Sequence, residues 1–176
     1  MTVTGALEEA TVGLAQWFAL SGGIAGITRS MWVTATLIGG VLAWGAGSIP
    51  MTLASLSTDA ATVPVQEPPQ VLVLAMASGI GLVAGAVLSA AQWVVLRKWV
   101  SRAWRWVPAN GLAWAAGMPL IFAAIDLAQL ARLPWVAVIV MAFAIPLAGA
   151  SVGAIHGVVL VAFDGELAVQ QSLTSS

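Results

Sequence analysis

Gln70-Val-Leu-Val-Leu-Ala-Met-Ala-Ser-Gly-Ile-Gly-Leu-Val-Ala-Gly-Ala-Val-Leu-Ser-Ala-Ala-Gln-Trp-Val-Val-Leu96 contains no charged residue and no proline. A helix needs about 20 mostly apolar residues to cross a hydrocarbon core of about 30 Å, and this run exceeds that length. The rest of the chain has the same character. Of its 176 residues 60% are hydrophobic and 7% charged, where a soluble domain carries roughly 25% charged residues to wet its surface. With so few charges the exterior cannot face water, so lipid must cover it.

Working outward from 70–96, three more runs meet the length requirement: 31–55, 106–130 and 134–163. The first is uncharged, the second holds Asp126, and the third is long enough to tilt or to kink at Pro146. The expected fold is a single all-α membrane domain over residues 1–176, with four transmembrane helices and an N-terminal helix. Residues 57–69 hold three prolines and two acids and read as an outside loop. Residues 97–105 carry Arg97, Lys98, Arg102 and Arg105 and are cytoplasmic by the positive-inside rule. Arg29 falls on the same side, so both termini are expected in the cytoplasm of a bacterial inner or photosynthetic membrane; Arg132, alone outside, dissents. Glu8 and Glu9, with no cation before them, do not match the basic start of a cleavable signal peptide.

Residues 10–28 admit two readings. They are apolar enough for a fifth span, but Gly22, Gly23 and Gly26 each weaken a helix by about 1 kcal/mol. An interfacial or half-inserted helix with Leu7, Val12, Leu14, Trp17 and Leu20 on its apolar side is the favoured one.

A short pattern recurs. Val12-Gly-Leu-Ala-Gln-Trp-Phe-Ala-Leu20, Leu88-Ser-Ala-Ala-Gln-Trp-Val-Val-Leu96 and Val152-Gly-Ala-Ile-His-Gly-Val-Val-Leu160 each place a small residue three positions before an amide or imidazole, and each end on leucine. Leu42-Ala-Trp-Gly-Ala-Gly47 is echoed by Leu112-Ala-Trp-Ala-Ala-Gly117. Helix-pair units duplicated in parallel account for both echoes, which argues against the inverted repeats of many transporters. Gly81, Gly85 and Ser89, followed by Gln92, share one helical face, as do Gly149, Gly153 and Gly157 beside His156. Such stripes let helix backbones approach closely in lipid; both are expected to pack helices, with Gln92 bonding across the interface.

Gly85 through Gly117, with Gln92-Trp-Val-Val-Leu-Arg97 and Trp104-Arg-Trp106, resembles a group of uncharacterised bacterial multi-span membrane proteins frequent in phototrophic bacteria. Residues 16–47 match more weakly, since Ser21 stands where the arginine would. The resemblance covers about half the chain. It implies a multi-helix membrane fold and no particular activity.

Few residues carry chemistry. Cysteine is absent and His156 is the single histidine, which removes disulfides, thiolate sites and multi-histidine metal sites within one chain. His156, flanked by Gly153 and Gly157, has the surroundings of an axial ligand to haem or a chlorophyll-type pigment; the plainer reading is a hydrogen bond to a neighbouring helix. Asp126 is the one acid inside a span and a candidate for proton or ion handling, against local pairing with Arg132 or exposure. Arg97, Lys98, Trp99, Arg102, Trp104, Arg105 and Trp106 read as a headgroup anchor or a partner docking strip. A net charge of −1 gives no basic field for nucleic acid. No Gly-x-Ser-x-Gly, phosphate loop or His-Glu-x-x-His is present, so no enzymatic activity is expected. The leading expectation is an accessory or assembly subunit of a larger membrane complex, or a homo-oligomer, in contact with lipids and requiring no cofactor. The alternatives are a pigment- or haem-binding protein and a small transporter.

Overall fold

The computed structural model describes residues 3–24, 26–57 and 68–174, and among these the regular structure is entirely helical. Five helices follow in order: α1 (Val3–Ser21), α2 (Arg29–Ser57), α3 (Gln70–Leu96), α4 (Trp106–Gln129) and α5 (Pro134–Thr174). A single 3-10 turn, Ala103–Arg105, leads into α4. The loop expected at 57–69 lies almost wholly outside the described residues.

Three helical segments are long and apolar enough to cross a membrane: Gln70–Leu96, Ala103–Gln129 and Pro134–Phe163. The helices stay unbroken through Pro119 and Pro146. The helix α5 runs 41 residues, about 60 Å at 1.5 Å per residue, well beyond the run that ends at Phe163.

Each helix packs antiparallel on the next, and close approach is bought with glycine. A methyl group added at Gly81 would lie 2.7 Å from the carbonyl carbon of Trp114, and one at Gly85 2.7 Å from the carbonyl oxygen of Asn110. On the other side of α3, one at Gly39 would lie 2.9 Å from Leu88 Cα. Backbone therefore meets backbone across both faces of α3, the close approach that small residues allow between helices.

The helix α1 packs antiparallel alongside α2. A methyl group at Gly13 would lie 3.1 Å from Thr36 Cβ, and one at Gly40 2.8 Å from the Glu9 carboxyl carbon. Both contacts advance by four residues in opposite directions, as antiparallel neighbours do. Gly22 and Gly23 form the turn between the two helices. The glycines that would weaken one continuous helix are used to reverse the chain.

The described residues expose many large apolar side chains, among them Val71, Met76, Val83, Leu112, Val138, Phe143, Val158 and Val161, while Thr36, Ser89, Gln92, Asn110 and His156 are buried beside an apolar core. Such an exterior is compatible with an apolar surrounding medium.

Candidate functional site

The loops that join α1 to α2 and α3 to α4 meet at one end of the bundle. There Leu20, Ile24, Ile27, Trp32, Leu96, Val100, Ala103, Trp106 and Phe163 form the largest apolar core, with Trp17, Trp93 and Trp99 packed around it. Trp17 Nε1 donates to the Ile27 carbonyl at 3.0 Å, tying α1 to the turn it enters.

Directly above this core lies a layer of polar side chains drawn from all five helices. Gln92 is its centre. Its Nε2 donates to Gln16 Oε1 at 2.8 Å and to Thr36 Oγ1 at 2.9 Å, and its Oε1 accepts from Trp106 Nε1 at 2.7 Å. An indole N–H only donates, so the atom facing Trp106 must be the amide oxygen. Thr36 Oγ1 passes its own hydrogen to the Trp32 carbonyl at 3.0 Å. Ser89 Oγ donates to the Gly85 carbonyl at 2.7 Å.

A second branch starts at Asn110, whose Nδ2 donates to the Gly85 carbonyl at 2.9 Å. Asn110 Oδ1 therefore faces His156 Nε2, 2.6 Å away. An amide oxygen only accepts, so Nε2 carries the hydrogen. The His156 ring stacks on Trp106 with centroids 4.8 Å apart and planes 27° apart. Trp106 meets Trp32 edge-on at 5.9 Å. The two branches thus join at Trp106.

The three positions of the repeated pattern, Gln16, Gln92 and His156, converge on this one layer: the first two bond directly, and the third joins through Trp106 and Asn110. Thr36, Asn110 and Trp32 were not singled out as site residues from the sequence. The signal was there: Trp32-Val-Thr-Ala-Thr36 and Trp106-Val-Pro-Ala-Asn110 open α2 and α4 with the same Trp-Val-x-Ala and a polar residue one turn on. Gln70 was also missed.

Several expected sites take a different form. Trp106, placed among the headgroup anchors, is completely buried, because its indole N–H has a better partner in Gln92 than in water. Trp99 is half-buried and covers Gly26, while Arg97, Lys98, Arg102 and Trp104 remain exposed. The Arg97 guanidinium lies over the Trp93 ring at 5.0 Å. Asp126 Oδ2 accepts from Gln70 Nε2 at 2.6 Å, in an exposed position at the opposite end of the bundle, so its partner is the start of α3. Of the two glycine stripes, only Gly81 and Gly85 touch a neighbouring helix. Methyl groups at Gly149, Gly153 or Gly157 would meet no atom within 4 Å, so the α5 stripe packs against nothing among the described residues.

With Nε2 donating to Asn110, the free lone pair of the His156 ring is on Nδ1. One ring face lies on Trp106, and the residue is 6% exposed. Among the described residues no group of three His, Cys, Asp or Glu side chains is placed to hold a metal ion. What the layer can do is mechanical. Its interhelical hydrogen bonds hold the register of five helices, because any slip strands Gln92, Trp106 or Asn110 at a cost of several kcal/mol each; Trp32 Nε1 is already buried without a partner. Comparison with family models, with curated proteins and with solved structures finds no match for this chain.

Proposed function

We propose that this protein is a non-catalytic structural subunit of a larger membrane assembly, held in one shape by its polar layer and joined to its neighbour through α5. The observation that carries this reading is the uncovered stripe on α5. In α3 the equivalent small residues are covered by α4, with Gly85 against Asn110. In α5 the same spacing recurs at Gly149, Gly153 and Gly157 with nothing against it, and among the described residues no helix follows α5. Small residues four apart offer a surface for another transmembrane helix. The neighbour is either a different subunit or a second copy.

The test uses Gly149→Leu and Gly153→Leu. Since neither side chain meets an atom of its own chain, the isolated protein is expected to keep its detergent melting temperature within about 2 °C, as for other substitutions away from packed features. Its assembly is expected to be lost: on native gels or by light scattering in mild detergent the wild type migrates with a partner and the variants do not. A wild type that runs as a bare monomer, with nothing co-purifying from its native membrane, sinks the proposal.

In this reading α2 also crosses the bilayer, and the end bearing Arg29, Arg97, Lys98, Arg102 and Arg105 is cytoplasmic by the positive-inside rule. The helix α1 spans 19 residues, about 28 Å at 1.5 Å per residue. Because it runs antiparallel to α2, its first residue falls on the side away from the basic loops, which reverses the expectation of a cytoplasmic N-terminus. The chain has no cysteine, so single cysteines report without background. One placed at Thr4 is expected to react with an impermeant maleimide from the periplasmic side, and one at Ser101 only after the membrane is opened. The reverse pattern refutes this topology.

A transporter using Asp126 has less support, because the carboxylate is hydrogen-bonded to Gln70 and exposed at one end of the bundle.

A further inference from the structure

Between α2 and α3, on the outer surface, runs a groove of about 540 Å³ lined by Ser30, Met31, Thr34, Ile38, Ala91 and Val94. It lies beside the polar layer, separated from it by the buried Ala35 and Thr36. Met31, Thr34, Ala35 and Ile38 form one face of α2, and Ala91, Val94 and Val95 one face of α3. These walls are apolar except at the end nearest the loops, where the hydroxyls of Ser30 and Thr34 lie one turn apart.

Charge is confined to that same end. Thr36 bonds Gln92 at 2.9 Å, and Gly39 lies against Leu88. Continuing this antiparallel register toward the loops brings Arg29 level with Lys98, next to the groove residues Ser30 and Val95, and both cations are exposed. Arg97 is turned onto the Trp93 ring and does not take part. No acid occurs between Glu9 and Asp59 or between Glu67 and Asp126, so nothing on α2, α3 or their adjoining turns neutralises the mouth. The groove thus presents an apolar trough, then two hydroxyls, then two positive charges.

We propose that this groove binds one anionic phospholipid, with an acyl chain along Ile38, Ala91 and Val94 and the phosphate among Ser30, Arg29 and Lys98. The occupant is a lipid rather than a protein helix, because the mouth asks for a compact anion and the trough for a flexible chain. This site is independent of what α5 binds.

The test is lipid retention. The full-length protein is reconstituted in nanodiscs of equal phosphatidylglycerol and phosphatidylcholine, extracted in mild detergent, and its bound lipid is counted by native mass spectrometry. Each cation near a surface contributes about 1 kcal/mol toward an anionic lipid, so with Arg29 and Lys98 together wild type is expected to retain phosphatidylglycerol over phosphatidylcholine by roughly thirtyfold. The double variant Arg29→Gln/Lys98→Gln is expected to bring that ratio close to one. Thr34→Trp, which fills the trough from an exposed position, is expected to remove the retained lipid altogether. Arg132→Gln, at the other end of the bundle, is expected to change nothing. Equal retention of the two lipids by wild type overturns the proposal. So does retention that survives Thr34→Trp, since that would reduce the effect to surface charge without a groove. Melting temperatures of the variants within about 2 °C of wild type show that the reading concerns lipid and not folding.

Discussion

Replacing Gly81 by valine is expected to force α3 and α4 apart, while the same replacement at Gly79, two residues earlier on the same helix, is expected to leave the bundle intact. At Gly81 the added Cβ would fall 2.7 Å from the Trp114 carbonyl carbon and 2.9 Å from Met118 Cγ. The methionine can swing aside, but the carbonyl is part of a helical backbone and moves only if α4 moves. Overpacking of this kind costs about 1–3 kcal/mol in a side-chain core and more when backbone must shift. The expected loss is at least 3 kcal/mol, because separating the pair also opens the contact at Gly85. At Gly79 an added Cβ meets nothing within 4 Å, so the expected change is within about 0.5 kcal/mol. Unfolding in mixed micelles of increasing denaturing detergent measures both. Equal stability of the two variants would show that α3 and α4 are not held at backbone distance.

The second large effect is expected at Gln92. Gln92→Leu keeps the volume and removes three hydrogen bonds, leaving Trp106 Nε1 and Gln16 Oε1 without their partner. Interhelical hydrogen bonds in membranes average about 0.6 kcal/mol and reach about 1.7. An orphaned buried donor or acceptor adds about 1–3 kcal/mol. The expected destabilisation is therefore at least about 3 kcal/mol. The pair Gln16→Leu/Gln92→Leu is expected to be less damaging than the sum of its parts, since the second change removes a partner already stranded by the first. Strict additivity in that cycle would mean that Gln16 and Gln92 do not bond. Loss of the layer has a second readout. With His156 and Asn110 no longer held through Trp106, the tryptophan emission of Gln92→Leu should shift to longer wavelength as water reaches the loop end.

Much of the bundle was legible along the chain. The runs at 70–96, 106–130 and 134–163 coincide closely with the segments long and apolar enough to cross a membrane. The stripe Gly81, Gly85, Ser89, Gln92 was readable as a packing face because four-residue spacing fixes its side of the helix. Its counterpart at Gly149, Gly153 and Gly157 has the same spacing and no neighbour among the described residues; spacing describes one helix and says nothing about whether another comes to meet it. Trp106 shows the same limit from the other side. Beside Arg102 and Arg105 it reads as an interfacial anchor, yet it sits at the centre of the layer, because Gln92 and His156 arrive there from residues 14 and 50 positions away.

The amino-acid sequence alone determined that this chain is helical and that at least three of its helices are long and apolar enough to cross a membrane. Transfer from water to hydrocarbon is a local property that adds up residue by residue, so a run of the right length suffices. Tertiary structure alone decided that Gln16, Thr36, Gln92, Asn110 and His156 share one layer, that α1 runs antiparallel beside α2, and that His156 gives its Nε2 hydrogen to Asn110. Those outcomes depend on which backbones can approach most closely and on which buried donors find acceptors. Both conditions are set by pairs of distant residues, and no window along the chain contains both members.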